Sequence, residues 1–171
     1  MVSWQTLALE IYLRLNRLLS GNSTAFDIAK DRADAEAMAS MFKPIGEIRC
    51  TPVNVDGIPA EWIIPEKEKS GRVILFLHGG SFNSGSIKSH RTLAGNLAIS
   101  TRSRALLIDY RLAPEYPFPA GIEDAIKAYR WLLAQGVDPN RIVVAGDSAG
   151  GTLVLNLLIH LRDKQASLPA A

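Results

Sequence analysis

The chain has 171 residues, 47% apolar and 21% charged, which suits a soluble globular protein of one domain or one domain plus a small appendage. Nineteen Lys and Arg against 17 Asp and Glu leave a charge of +2 with no basic block, which argues against nucleic acid as the main partner. Cys50 is the only cysteine, so no intrachain disulfide frames the fold, and a reducing compartment such as the cytoplasm fits.

Trp4, Leu7, Ile11, Leu15 and Leu18 share one face of a predicted first helix. Glu10, Arg14 and Arg17 interrupt it, so it lacks the roughly 18 uninterrupted apolar residues that a bilayer span requires. The start shows no basic stretch, clean apolar run and small-residue cleavage site in succession, so no secretory signal is expected. The helix is expected to end at Gly21-Asn22 and to pack on its own protein. Ser23 or Thr24 caps a second helix reaching about Phe42, before Pro44. Two strands, 47–55 and 58–64, flank Asp56-Gly57, a hairpin signal, and 66–71 reads as a solvated linking loop.

Beyond Gly71 the pattern alternates. Val73-Ile-Leu-Phe-Leu77 is a continuous apolar run, as a strand buried on both faces requires. A helix over 88–101, a buried strand over 105–109, a helix opened by Pro119 and running to Leu133, a strand over 142–145 and an apolar helix from Ala149 to about Arg162 follow. Strand–helix alternation predicts right-handed crossovers, a mostly parallel sheet and the α/β class.

The sharpest local signal is Gly146-Asp147-Ser148-Ala149-Gly150, set between a predicted buried strand and a helix. A serine nucleophile on a strand-to-helix turn needs small neighbours, and a helix N-terminus favours developing negative charge. Upstream, His78-Gly79-Gly80-Ser81-Phe82 follows the first buried strand directly. Acyl transfer needs N–H donors aimed at the oxygen that becomes negative, and glycines let the main chain approach it. The elbow turns this glycine pair from an ordinary loop into a candidate oxyanion hole, completed by the N–H of Ala149. His78 is read as holding the loop, and Arg111, Glu115 and Asp147 as structural. No metal-ligand cluster and no phosphate-cradling loop occurs, so neither metal nor cofactor is expected.

With Asp109-Tyr110-Arg111-Leu112-Ala113-Pro114-Glu115, Phe118-Pro119-Ala120 and Glu123-Asp124, these motifs resemble the hormone-sensitive-lipase-like family of α/β-hydrolase esterases from about residue 45 onward. The resemblance implies a cap formed by the helices of residues 1–45 and the N-terminal part of a catalytic domain over 46–171. It also implies a Ser148 nucleophile and an oxyanion hole built from Gly79, Gly80, Ser81 and Ala149. Within that hole Gly80, Ser81 and Ala149 supply the N–H groups and Gly79 shapes the loop. The family usually has a third glycine where this chain has Ser81.

The base and acid are missing. In this fold they follow the serine in the order Asp or Glu, then His. After Ser148 the only histidine is His160, and the only acid, Asp163, follows it. Twelve residues along a helix place His160 about 18 Å away, beyond hydrogen-bond reach. His78 and His90 precede the elbow. The first expectation is therefore the N-terminal part of a serine carboxylesterase or lipase, its chain inactive alone and completed by a C-terminal chain or segment. Two other readings stay open. One is a non-catalytic small-molecule-binding relative, as plant gibberellin receptors are within this resemblance. The other is an unrelated α/β domain with a chance elbow.

Overall fold

The computed structural model describes residues 7, 10–12, 14–15, 27–69 and 71–171. Helix α1 (Ile28–Ser40) leads into strands β1 (Ile48–Val55), β2 (Ile58–Pro65) and β3 (Val73–Leu77). Then come α2 (Ile87–Thr101), β4 (Arg104–Ile108), α3 (Ala120–Ala134), a 3-10 turn (Pro139–Arg141), β5 (Ile142–Gly146) and α4 (Ala149–Asp163). From β1 onward each boundary lies within two residues of the sequence expectation.

The N-terminal region differs more. Helix α1 starts at Ile28, where the Asp27 carboxylate accepts from the N–H groups of Ala29 and Lys30. A carboxylate at this position satisfies two orphan donors and complements the helix dipole. Ser23, Thr24, Trp4, Leu18 and the predicted Gly21-Asn22 turn lie outside the described residues. Leu7, Ile11 and Leu15 are helical but about half exposed, so the described residues do not cover the face predicted to pack.

The sheet order is β1-β2-β4-β3-β5. The β1–β2 hairpin joins antiparallel onto β4, whereas β4, β3 and β5 run parallel. The apolar run of β3 is buried at all five positions because helices cover both its faces. On one face Leu75, Leu77, Leu106 and Ile108 pack with Ala125, Ala128 and Leu132 of α3 and Leu153 and Leu157 of α4. On the other, Ile74, Phe76 and Leu107 meet Ala94 and Ala98 of α2. Ala125, Ala128 and Leu132, the stripe read from the sequence, are wholly buried.

β5 is the last strand on its side, yet its outer edge is not bare. The Val144 N–H donates to the Ala171 carbonyl and the Ala170 N–H to the Ile142 carbonyl, both at 2.9 Å. Residues after α4 thus begin a run along β5.

Candidate active site

β4 and β5 lie on opposite sides of β3: the chain steps from β3 to β4 on one side, then crosses back past β3 to β5 on the other. At such a switch point the carboxyl ends of the strands open a crevice, the usual ligand position in open α/β sheets. Leu77 and Gly146 are register partners at the ends of β3 and β5. The loop from His78 and the turn at Ser148 therefore emerge side by side.

Ser148 stands at φ 49°, ψ −119° as the N-cap of α4, and its side chain makes no capping bond. A non-glycine residue held here costs about 1–3 kcal/mol, and such strain collects at working sites. The turn is tight enough to dictate its neighbours. A Cβ at Gly150 would strike the Leu77 carbonyl oxygen, and one at Gly146 would lie 2.6 Å from the Gly150 carbonyl carbon. Both glycines are required by the approach of β3 to the start of α4.

Across the crevice, Gly80, Ser81 and Phe82 take φ values of 120°, 54° and 63° in succession. The turn closes where the N–H groups of Asn83 and Ser84 donate to the Gly80 carbonyl at 3.1 and 2.8 Å. Among the described residues the N–H groups of Gly80, Ser81 and Ala149 donate to no acceptor. Gly79 is different. Its N–H donates to Asp147 Oδ1 at 3.0 Å, so it ties the loop to the elbow and is not a free donor. Ser81 occupies left-handed backbone where a glycine would be unstrained.

The loop after β4 braces the site. The Tyr110 hydroxyl donates to the His78 carbonyl at 2.7 Å, and its ring stacks on His78 with centroids 4.2 Å apart. Arg111 forks onto buried Asp124 at 2.8–3.0 Å and reaches Glu123 at 3.1 Å, a structural pairing that holds the guanidinium firmly protonated. Glu115 takes both ends of the Arg32 guanidinium at 2.8 Å, which lowers its carboxyl to about 2. Arg32 also donates to the carbonyls of Asn83 and Ala113, so α1 is fastened to both loops beside the crevice. Sequence reading missed Arg32. Its partners lie 51 to 83 residues away, and one arginine among surface charges carries no local signal.

The three histidines have separate places. His78 is fully buried, with Nδ1 2.8 Å from the Gly79 carbonyl oxygen. Burial pushes its imidazole down to about 4, with His90 adding to the lowering and the Gly79 carbonyl and Asp147 opposing it. His90 lies between Ser89 Oγ, 2.8 Å from Nδ1, and Asp147 Oδ2, 3.4 Å from Nε2. His160 is in the last turn of α4, beside Trp131 and Arg130 near the end of α3. Among the described residues no hydrogen bond joins any of the three to Ser148.

The His78 shift has a measurable consequence. The unfolded imidazole takes its proton near 6.5, whereas the folded one resists it down to about 4. Protons thus favour the unfolded chain in that window, and stability present above pH 6.5 falls by on the order of 3 kcal/mol as the pH drops to 4. Urea unfolding at pH 7.5 and 4 should show this loss in the parent and a clearly smaller one in His78→Asn. Equal losses in both would exclude His78 as the source.

An apolar cavity of about 380 Å³ adjoins the crevice. Phe82 from the β3–α2 loop, Tyr116 and Phe118 from the β4–α3 loop, Ile122 from α3, and Leu153 and Asn156 from α4 form its walls. Among the described residues there is no His, Cys, Asp and Glu grouping able to hold a metal ion. No described helix is long and apolar enough to cross a membrane.

Residues 74–171 match the family model of the alpha/beta hydrolase fold. An acetyl-hydrolase of Streptomyces hygroscopicus is 46% identical over 144 residues, 84% of this chain and 46% of the relative. An esterase of Acinetobacter venetianus is 32% identical over 135 residues, 79% of this chain and 44% of its own. A crystal structure of an esterase from the bacterial hormone-sensitive lipase family superposes with a TM-score of 0.81 at 42% identity, over 86% of this chain and 50% of that one. A hormone-sensitive lipase from a metagenome library gives a TM-score of 0.83 at 31% identity, over 94% of this chain and 54% of that one. The chain thus spans about half the length of the relatives it matches.

Proposed function

Because this chain belongs to the α/β-hydrolase fold family, on its hormone-sensitive-lipase-like branch, we propose that it carries the nucleophile half of a carboxylic-ester hydrolase working through an acyl-enzyme. One observation carries the reading: Ser148, strained and uncapped, stands at the switch point, where three nearby main-chain N–H groups donate to no acceptor among the described residues.

Ser148 Oγ attacks the acyl carbonyl carbon while its proton passes to a base. The carbonyl oxygen becomes negative and takes hydrogen bonds from the N–H groups of Gly80, Ser81 and Ala149. Collapse of the tetrahedral intermediate breaks the bond to the alcohol oxygen, which leaves with the base's proton. Water then attacks the acyl-serine with the same proton transfers and releases the carboxylic acid. The base is a histidine outside residues 1–171, oriented by an Asp or Glu also outside them. Two observations support this: the engaged positions of His78 and His90, and the place of His160 at the far end of α4.

Short to medium acyl esters fit the 380 Å³ apolar cavity, and the name of the acetyl-hydrolase relative agrees with the short end of that range. The N-terminal helices act as a cap, and the anchoring of α1 through Arg32 supports that role. The lack of an in-reach base favours one competing reading, a binding relative that holds its ligand unhydrolysed.

The test is a chromogenic short-chain ester assay with light scattering. Residues 1–171 alone should show no turnover above background and should self-associate, since Leu155 and Ile159 on α4 are about half exposed or more. Adding a C-terminal segment that bears the base and acid, in cis or as a second chain, should restore both activity and monodispersity. Serine-dependent turnover by a monomeric 171-residue chain would overturn the two-part reading. Stoichiometric binding without hydrolysis in the completed protein would favour the binding relative.

A further inference from the structure

We propose that His90 is a positioning residue for this chemistry, holding the oxyanion loop against the nucleophile elbow through Asp147; the proposal rests on the hydrolase reading above. Two hydrogen-bond contacts flank one ion-pair-distance contact between the His90 imidazole and the Asp147 carboxylate. Ser89 Oγ lies 2.8 Å from His90 Nδ1, His90 Nε2 lies 3.4 Å from Asp147 Oδ2, and Asp147 Oδ1 accepts the Gly79 N–H at 3.0 Å. Asp147 directly precedes the serine, and Gly79 directly precedes the oxyanion donor Gly80. One carboxylate therefore sets the distance between the group that attacks and the group that stabilises the product of attack.

Asp147 has a second contact besides the Gly79 N–H, the His90 imidazole. Its side chain is more than a third exposed, and the Gly79 N–H is the one hydrogen-bond donor to it among the described residues. His90 supplies the second point of attachment. The histidine itself is fixed: its side chain is only 17% exposed, and Ser89 is locked into the capping box that starts α2. That capping box is closed by the Ser86 side chain, which accepts from the Ser89 N–H, and by Ser89 Oγ, which accepts from the Ser86 N–H. The anchor thus runs from the capped start of α2 to both turns of the site. The fit at its far end is close, because a Cβ on Gly79 would collide with Asp147 Oδ2.

The expected signature separates positioning from simple folding support. A displaced donor weakens binding of the oxyanion more than binding of the ground-state ester, so kcat falls while KM holds. In the protein carrying its complementing segment, His90→Leu should lower kcat tenfold or more with KM within twofold. His90→Gln keeps an N–H that reaches Asp147, and should recover kcat to within about threefold of the parent. The same His90→Leu protein should lose hydrogen-exchange protection at the Gly79 amide, read by NMR, while amides of β3 and β5 keep theirs. If His90→Leu fails to fold, Ser89→Ala cuts the same link one step earlier and should give a smaller kcat loss in the same direction. Unchanged exchange at Gly79 in a folded variant overturns the proposal whatever the turnover. So does a kcat that stays at the parent value. Absence of Ser148-dependent turnover in the parent overturns the hydrolase reading instead, and the Gly79 amide then decides alone whether the link exists.

Discussion

Ser148→Ala is expected to remove essentially all ester turnover from the completed protein, a fall of roughly 10⁴-fold or more, while the fold is retained. The size follows from the route. Without Oγ no acyl-enzyme forms, and only the oxyanion donors and substrate binding remain to assist attack by water. The fold should survive because Ser148 Oγ makes no capping bond, so its removal leaves no helix donor newly unsatisfied. Alanine still has to hold φ near 49°, a strain the serine already bears. Thermal unfolding should therefore move little, and circular dichroism should match the parent. Hydrolysis near the parent rate by a purified Ser148→Ala protein would remove Ser148 from the mechanism and reopen the search for a nucleophile.

How much of this was legible beforehand depends on the range over which each signal acts. β3 and the Ala105–Ile108 stretch of β4 are visible because burial on both faces leaves nothing but apolar residues, and the helices show their stripes within a few turns. The elbow is visible because its glycines answer to a close approach that no larger residue survives: Gly150 against Leu77 and Gly146 against Gly150. The antiparallel attachment of β2 to β4 is not visible, since hairpin and parallel strands carry no residue code for which edge they share. The bonds that register the site are equally silent. Asp147 meets Gly79 across 68 residues and Arg32 meets Glu115 across 83, and each is an ordinary charged residue until the sheet brings it to its partner. Gly79 shows the difference well. The motif marks it as part of the oxyanion hole, but only the fold shows that its N–H is committed to Asp147.

Gly80→Val should lower kcat by about 10²–10³-fold in the completed protein, the cost of losing one oxyanion donor, roughly 2.7–4 kcal/mol. Two physical reasons act together. Gly80 sits at φ 120°, a region that a β-branched residue does not enter, and a Cβ there would run into the Ser84 carbonyl oxygen. The valine therefore forces the turn to open. The N–H groups of Asn83 and Ser84 lose their acceptor at the Gly80 carbonyl, and the N–H groups of Gly80 and Ser81 swing away from the crevice. The damage stays local because β3 ends at Leu77, and the sheet pairs that carry the core do not pass through the loop. Stability should consequently drop far less than activity. Ester kinetics and thermal unfolding on the same preparation separate the two effects. A folded Gly80→Val protein with an unchanged kcat would mean that this loop is only a connection between β3 and α2, and that the developing charge is met elsewhere.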